Sequence, residues 1–314
     1  MKAAQFTTYG GPEVLQINEV EIPFAQDGQV LVQIYAAGLN PFDYKLRRGY
    51  MKEMIPLVLP VTIGGDFAGV ITSVGNGVSE FSVGDEVFGQ ANVVGGGSGT
   101  LAEFVTAKGG SVAKKPESVD FAQAAALPLV GVSAIQALIE HAKLEKGQKI
   151  LIHGGSGGIG SLAIQLAKSI GAHVATTASA EHADFVRHLG ADEVIDYKAQ
   201  DFSTILKDFD VVYDTIGGDT YTKSFTVLKK GGIIVTMAAK PDAELDKKYD
   251  VTTIGQVTKT STERLMRLAE LVDAGKIKAE IEKMFPLEQA REAFDFFETK
   301  HPKGKIVVTI KATT

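Results

Sequence analysis

The sequence predicts an α/β protein in which a doubly wound parallel sheet is joined to a separate all-β domain. Its 314 residues exceed an ordinary single core and favour two domains. Near Asp120 the pattern changes from short strands separated by Gly and Pro to alternating strands and helices. A glycine-rich turn then follows the strand that begins at Lys149 and opens a helix.

Composition and charge narrow the classes of function. The chain carries 32 basic and 38 acidic side chains, a net charge of -6, which argues against binding to nucleic acid or to an anionic membrane. Cysteine is absent, which excludes disulfides, thiolate nucleophiles and cysteine-ligated metals. The most apolar stretch, 121–139, is interrupted by Gln, Pro, Gly and Ser and does not read as a membrane span. We expect a soluble, cytoplasmic protein with no membrane partner.

The first third of the chain reads as a β domain with tight turns. Strand-like runs at Val30–Ala36, Gly69–Val74 and Thr100–Thr106 lie between glycines and prolines, and helical periodicity is scarce.

The following part reads as strands and helices in alternation. The predicted strands are Lys149–His153, His173–Thr177, Glu193–Asp196, Asp210–Asp214 and Gly232–Met237. The predicted helices between them are Ile159–Ile170, Glu181–Leu189, Phe202–Asp208 and Tyr221–Leu228. Short connections between such elements predict a parallel sheet covered on both faces. A later helix, Thr262–Ala274, is expected to pack on the same sheet, and Lys305–Ile310 forms a final strand.

The glycine-rich turn is the most specific motif. Gly155, Gly157 and Gly160 have the GxGxxG spacing of a dinucleotide-binding turn. Such glycines permit the tight turn, the approach of backbone amides to a pyrophosphate and close helix packing. We therefore assign Gly155, Ser156, Gly157, Gly158, Ile159 and Gly160 to a cofactor site.

The end of the second strand indicates which dinucleotide binds. NAD enzymes place an acid there to bind the ribose hydroxyls, whereas this chain has Ser179, which can donate to a 2′-phosphate. His182 lies close by with further basic candidates at Arg187 and Lys198, so NADP(H) is the predicted cofactor. Glu181 is the contrary observation, because a different turn would bring it to the ribose. Ser179 can also serve as a helix N-cap.

Several sequence blocks, in order along the chain, resemble the zinc-free quinone oxidoreductase-like branch of the medium-chain dehydrogenase/reductase superfamily. The blocks, besides the glycine turn, are Gly38–Asp43 with Arg48-Gly49, Pro60–Val70, Val83–Phe88, Ala126–Gly131, Leu189–Tyr197, Asp214–Gly218 and Gly304-Lys305. The resemblance implies a GroES-like β domain over 1–121 with 282–314 and a Rossmann NADP-binding domain over 122–281. It also implies an active site in the cleft between these domains.

The resemblance extends the cofactor site beyond the turn. Pro128 and Val130 would form an apolar wall near the nicotinamide, with Ser133 beside them, although they also read as a helix start and core. Tyr197 lies in a matching block. Thr215 and Gly217 would border the adenosine or ribose. Alternatively, Gly217 only forms the turn into the next helix. Met237 and Ala238 would lie near the nicotinamide.

Three residues are candidates for catalysis. Asn40 matches the family asparagine near the nicotinamide and could donate to a carbonyl, but it also reads as a turn residue before Pro41. Tyr50 resembles the catalytic tyrosine of the enoyl-thioester reductases, or is a half-exposed loop residue. Tyr44 lies in the same segment, whereas Asp43 and Lys45 read as local contacts.

No metal is predicted. The family's zinc-binding cysteine is replaced near Leu39-Asn40, and its Gly-His-Glu segment reads Gly65, Asp66, Phe67. The histidines, at 141, 153, 173, 182, 188 and 301, lack ligand spacing. These departures favour hydride transfer from NADPH to an already electrophilic quinone or α,β-unsaturated carbonyl. Alternatives are an enoyl-thioester reductase and a non-catalytic NADPH-binding protein, crystallin-like or RNA-binding. A homodimer formed through Gly232–Met237 as an edge strand is expected from the resemblance and from the need to cover an apolar edge.

Overall fold

The computed structural model describes residues 1–300 and 302–311, which form two compact units. The first unit contains Met1–Leu129, Thr260–Asp273 and the described residues from Ala279 onward, and the second contains Val130–Lys259 and Ala274–Lys278. The predicted α/β class with a parallel-sheet domain is confirmed. The observed division differs from the predicted boundaries chiefly at Thr260–Asp273, which belongs with the first unit.

The first unit is built on two sheets. A three-stranded sheet has the order β2-β1-β4, and a seven-stranded sheet has the order β15-β16-β3-β5-β6-β8 with β7 also paired to β3. These strands are β1 (Lys2–Phe6), β2 (Leu15–Glu19), β3 (Gln29–Gly38), β4 (Val61–Thr62), β5 (Asp66–Val74), β6 (Glu86–Gln90), β7 (Phe104–Lys108), β8 (Val112–Lys114), β15 (Ile281–Pro286) and β16 (Lys305–Thr309). Alternating burial along β3 places Val30, Val32 and Ile34 in the core.

Within the described residues, the α-helices that belong wholly to the first unit are α1 (Pro41–Arg47), α2 (Phe121–Ala125), α9 (Thr262–Asp273) and α10 (Ala290–Lys300). The sequence did not predict α1, although Pro41 is at its first turn, where proline is favoured. The expectation that α9 packs on the parallel sheet is wrong. Thr262 Oγ1 donates to the carbonyls of Gly109 and Val112, and α9 therefore packs beside β8.

The second unit is a six-stranded parallel sheet with the order β11-β10-β9-β12-β13-β14. Its strands are β9 (Lys149–Ile152), β10 (His173–Ala178), β11 (Glu193–Asp196), β12 (Phe209–Asp214), β13 (Leu228–Thr236) and β14 (Thr252–Gly255). Counted within the unit, the order is 3-2-1-4-5-6, the doubly wound Rossmann arrangement. Ile150, Leu151 and Ile152 of β9 are all fully buried, as a strand covered on both faces requires.

The helices connecting these strands are α4 (Gly158–Ile170), α5 (Ala183–His188), α6 (Phe202–Ile205), α7 (Gly218–Ser224) and α8 (Ala243–Tyr249). The helix α3 (Pro128–Ile135) precedes the sheet and continues as a π-helix over Gln136–His141. Among residues 1–300 and 302–311, none of the helices combines the length and apolar composition that a bilayer crossing requires.

The edge of the parallel sheet is not where the sequence places it. The strand predicted at Gly232–Met237 is β13, and β14 pairs with it from Ile233 to Thr236. The prediction that β13 is the edge strand is therefore wrong, and β14 forms that edge.

Candidate active site

The glycine turn joins β9 to α4 and contains glycines that the fold itself requires. A Cβ on Gly155 would lie 2.0 Å from Thr176 Oγ1, and a Cβ on Gly160 would lie 2.3 Å from the carbonyl oxygen of Gly154. Gly154 also has a φ of +70°, a backbone angle that residues other than glycine rarely adopt. Close packing explains Gly155 and Gly160, and the positive φ explains Gly154, all without a ligand.

At Gly157, by contrast, neither packing nor the backbone angle requires a glycine. Its φ is -75°, and a Cβ there would meet nothing nearer than the Gly154 carbonyl oxygen at 3.5 Å. Gly157 is the N-cap of α4 and supplies no side-chain cap to the amides that begin the helix. Ser156, Gly158 and Ile159 are only half-buried. An open helix N-terminus with space over its first amides fits a pyrophosphate.

A hydrogen-bond chain through His153 anchors the turn. The Gly154 amide donates to Thr177 Oγ1 at 3.1 Å, and the same hydroxyl lies 3.3 Å from His153 Nδ1. On the other side, Ser224 Oγ donates to the Thr220 carbonyl and therefore accepts from His153 Nε2 at 3.0 Å. Nε2 therefore carries a proton, and in the neutral ring Nδ1 accepts from the Thr177 hydroxyl. Burial lowers its pKa to about 4.

This buried histidine predicts a pH dependence of stability. The unfolded histidine takes up a proton near pH 6.5 and the folded one only near pH 4, so stability is complete above pH 6.5 and falls as the pH drops toward 4. The expected loss is about 3 kcal/mol. Urea unfolding of the wild type and His153→Gln across this range isolates the effect, because other titrating carboxyls are common to both. His188→Gln, at an exposed position, is the control and should retain the wild-type slope.

At the end of β10, Ser179 and Glu181 lie together. Ser179 Oγ donates to Glu181 Oε1 at 3.2 Å, and the His182 amide donates to the Ser179 carbonyl. No capping bond from the Ser179 side chain accompanies this arrangement. Tyr197 follows the neighbouring strand β11 and is 60% exposed. Ser179, His182 and the Glu181 carboxylate thus lie on one turn, and their contact with a cofactor stays a prediction.

The loop after β12 is held by a buried carboxylate. Asp214 Oδ1 accepts from the amides of Ile216 and Gly217 at 3.0 and 2.9 Å, and its Oδ2 accepts from Thr236 Oγ1. Thr215 Oγ1 donates to the His153 carbonyl at 2.8 Å. Thr215 and Gly217 therefore lie next to the glycine turn, although their contact with a cofactor stays a prediction.

A further set of hydrogen bonds surrounds Ser133. Its carbonyl accepts from Gln256 Nε2 at 3.0 Å and from the Tyr213 hydroxyl at 3.3 Å, and its hydroxyl bonds Thr258 Oγ1 at 2.7 Å. Tyr213 also lies 3.0 Å from Met237 Sδ, which places Met237 and Ser133 together. Ser133 is fully buried, and these contacts secure α3 against the carboxyl ends of β12 to β14. Ala238 follows Met237, while Pro128 begins α3 and Val130 is buried within it.

In the first unit, Asn40 lies in a buried network of charges. Its Nδ2 donates to Asp66 Oδ2 at 2.8 Å, and its Oδ1 accepts from Lys305 Nζ at 2.5 Å. The backbone N–H of Asn40 donates to Asp43 Oδ2 at 2.7 Å, and Asn40 is the N-cap of α1. Burial raises the pKa of Asp43 to about 7, an effect that the Asn40 bond opposes and the charge of Asp66 assists. The sequence placed Asn40 in the site but assigned no role to Asp66 or Lys305.

The two tyrosines occupy different environments. Tyr44 packs edge-on against Phe297 with ring centroids 5.9 Å apart, and burial raises its pKa. Tyr50 follows α1 and is 67% exposed. Neither residue is bonded to Asn40, and their catalytic roles stay predictions.

Among residues 1–300 and 302–311, no three His, Asp or Glu side chains are grouped as a metal site would require. His301 lies outside the described residues.

The class of protein follows from the second unit. A 3-2-1-4-5-6 parallel sheet with a glycine turn after its first strand defines a dinucleotide-binding fold, and the predicted cofactor residues all follow the carboxyl ends of its strands or lie in α3. Two family models match the chain: the alcohol dehydrogenase GroES-like domain over residues 26–117 and the zinc-binding dehydrogenase over residues 189–308.

Known proteins resemble the whole chain. It is 37% identical over 319 residues to the chloroplastic NADPH-dependent alkenal/one oxidoreductase of Arabidopsis thaliana, covering 98% of this chain and 79% of that protein. The structure of the quinone oxidoreductase from Coxiella burnetii has a TM-score of 0.91 and 36% identity over 99% of both chains. The Escherichia coli quinone oxidoreductase complexed with NADPH has a TM-score of 0.88 and 26% identity, covering 98% of this chain and 100% of that one. The chain belongs to the quinone oxidoreductase-like branch of the medium-chain dehydrogenase/reductase superfamily.

Proposed function

We propose that this chain is a zinc-independent, NADPH-dependent oxidoreductase that reduces quinones or α,β-unsaturated carbonyls. The observation that carries the proposal is Gly157, a glycine without a steric reason in the protein, placed over the open N-terminus of α4. Relatives named as an NADPH-dependent alkenal/one oxidoreductase and as quinone oxidoreductases support the choice of cofactor and acceptor.

The cofactor supplies a hydride, and the protein must hold it against the acceptor. An enone takes the hydride at its β-carbon and a proton in a separate step, giving the saturated carbonyl. A quinone takes a hydride and a proton and leaves as the hydroquinone. In both cases negative charge develops on a carbonyl oxygen, and a positioned N–H or O–H donor stabilises it. Asn40, Tyr44 and Tyr50 are the proposed donors.

Binding and turnover are tested separately. NADPH is titrated by its fluorescence, and a quinone panel and an enone panel are then added while NADPH oxidation is followed, with and without EDTA. We expect saturable binding, oxidation by at least one panel and no effect of EDTA. Failure to bind NADPH would overturn the proposal, as would turnover abolished by EDTA and restored by zinc. Tight binding without oxidation would favour the non-catalytic alternative, and preference for enoyl thioesters would favour the enoyl-thioester reductase.

We propose a homodimer in which two copies pair through the exposed edge of the parallel sheet. The structure moves this edge from β13 to β14, where Val257 just beyond the strand is 77% exposed. A strand edge with unpaired backbone groups is commonly covered by a second chain. Light scattering after size exclusion should give the mass of two chains, and a monomer mass would contradict the proposal. A cytoplasmic location stays a prediction, and some relatives are named as chloroplastic or mitochondrial.

A further inference from the structure

A buried ion pair in the first unit encloses the side chain of Asn40. Lys305 Nζ lies 3.6 Å from Asp66 Oδ2 but only 2.5 Å from Asn40 Oδ1 and 2.7 Å from the Leu39 carbonyl oxygen. Asp66 is fully buried, and Lys305 and Asn40 are 4% and 2% exposed. Each charge is therefore closer to the Asn40 amide, at 2.8 Å from Asp66 and 2.5 Å from Lys305, than to the other charge. We call Asn40, Asp66 and Lys305 the amide clamp.

The charges fix the orientation of the amide. In the observed orientation the Asn40 NH2 faces the Asp66 carboxylate and its oxygen faces the Lys305 ammonium. Rotating the amide by half a turn would set oxygen against carboxylate and NH2 against ammonium, which is unfavourable at both ends and most costly where water is excluded. A neutral partner on either side would impose no comparable preference.

The clamp is itself anchored to neighbouring strands. Asp66 begins β5 and accepts from Gln90 Nε2 at 2.7 Å at the end of β6, and from the Leu129 amide at 3.2 Å. Thr260 Oγ1 donates to Gln90 Oε1 at 2.5 Å. Lys305 begins β16, and β16, β3, β5 and β6 are consecutive in one sheet. Both charged residues thus lie on strands of one sheet. The residues that support a functional site need such rigid positions.

The clamp leaves one amide hydrogen of Asn40 beyond the bond to Asp66, since an NH2 group carries two donors. A cation bonded to the amide oxygen draws electrons from the nitrogen and makes the remaining N–H a better donor, as in cooperative hydrogen-bond chains.

We propose that Asp66 and Lys305 are positioning residues that orient and polarise the Asn40 amide for donation to the oxygen on which charge develops during hydride transfer. The proposal rests on the proposed function and on the predicted role of Asn40 within it. Neither charged residue touches the substrate in this scheme, because both act through Asn40.

A double-mutant cycle tests the proposal. Lys305→Met and Asp66→Asn keep side-chain size and remove one charge each. Each should lower kcat by about 30-fold while the NADPH Kd changes by less than about twofold. In an Asn40→Ala background the same substitutions should lower kcat by less than about threefold further, because the residue through which they act is gone. Lys305→Arg, which retains a cationic donor, should restore part of the loss. Equal losses in both backgrounds would overturn the proposal.

The control is a second buried ion pair in the same unit. Glu298→Gln weakens the Arg47–Glu298 pair and should lower stability without changing kcat per folded molecule. A fall in kcat for this variant as large as that for Lys305→Met would show that general loosening of the unit, and not the amide, explains both.

NMR spectra report on the Asn40 side-chain amide directly and do not depend on turnover. In 1H–15N spectra the two Asn40 side-chain protons, assigned by their loss in Asn40→Ala, should be widely separated and slow to exchange, and Asp66→Asn should bring them together. Unchanged signals would overturn the clamp. If the wild type binds NADPH but reduces no acceptor, the proposed function fails, while these spectra still decide whether the clamp exists.

Discussion

Replacing Gly157 with alanine is expected to weaken NADPH binding by at least about tenfold while leaving the free energy of unfolding unchanged. A new Cβ there meets only the Gly154 carbonyl oxygen, at the ordinary contact distance of 3.5 Å, and the backbone at Gly157 is one that alanine adopts freely. The methyl group would instead occupy the space over the first amides of α4, where the pyrophosphate is expected. Fluorescence titration and urea unfolding of the same preparation measure the two quantities.

Two matched variants complete this experiment. Gly160→Ala places a Cβ 2.3 Å from the Gly154 carbonyl oxygen and should lower stability and binding together. Gly110→Ala, in open space on the first unit, should change neither. If Gly157→Ala binds NADPH as tightly as the wild type, the pyrophosphate does not lie over this turn.

Replacing Glu298 with alanine is expected to destabilise the first unit by about 3 to 5 kcal/mol. Glu298 pairs with Arg47, whose side chain is fully buried, and with Arg48 at 2.5 Å. Arg47 also donates to the Gly10 carbonyl and lies over the Phe294 ring, so it cannot turn to water when its partner is removed. The substitution leaves a buried guanidinium without a counter-charge. Burial lowers the pKa of Arg47, the direction expected of a cation held away from water.

Urea denaturation followed by circular dichroism measures the loss. Glu292→Ala, on the exposed face of the same helix, is the control and should change stability by less than about 0.5 kcal/mol. Equal effects of the two substitutions would mean that helix propensity and not the ion pair is being measured.

Much of the fold is predictable because local patterns express it. Continuous apolar runs such as Ile150–Ile152 indicate strands covered on both faces, and five of the six parallel strands are found this way. The sixth, β14, escapes because Thr252–Gly255 contains only one large apolar residue, Ile254. Its absence from the prediction also explains the misplaced sheet edge. The packing of α9 beside β8 depends on tertiary contacts that a helical pattern does not encode.

The candidate site also contains one part that local sequence predicts and one that depends on tertiary contacts. The glycine turn is local, so its position and geometry follow from the spacing of its glycines. The amide clamp is not local, because it joins residues 40, 66 and 305, which only the folding of the sheet brings together. The available signal was an isolated charge within apolar surroundings: Asp66 before Phe67-Ala68, and Lys305 before Ile306–Val308. A charge in such a position is expected to be paired, but the sequence does not identify its partner.

The strand β16 has a consequence for the order in which the chain can fold. It lies between β15 and β3 inside the seven-stranded sheet, although along the chain it follows the whole Rossmann unit. The Rossmann unit has all its strands by Gly255 and can complete its sheet during synthesis. In the first unit β7 already pairs Gln29–Gln33 of β3, but the segment Ala36–Gly38 stays unpaired on that side until β16 is made. Until Lys305 arrives, Asp66 has no counter-ion from β16. The first unit is therefore completed after the Rossmann unit, although β3 and β5 precede that unit along the chain.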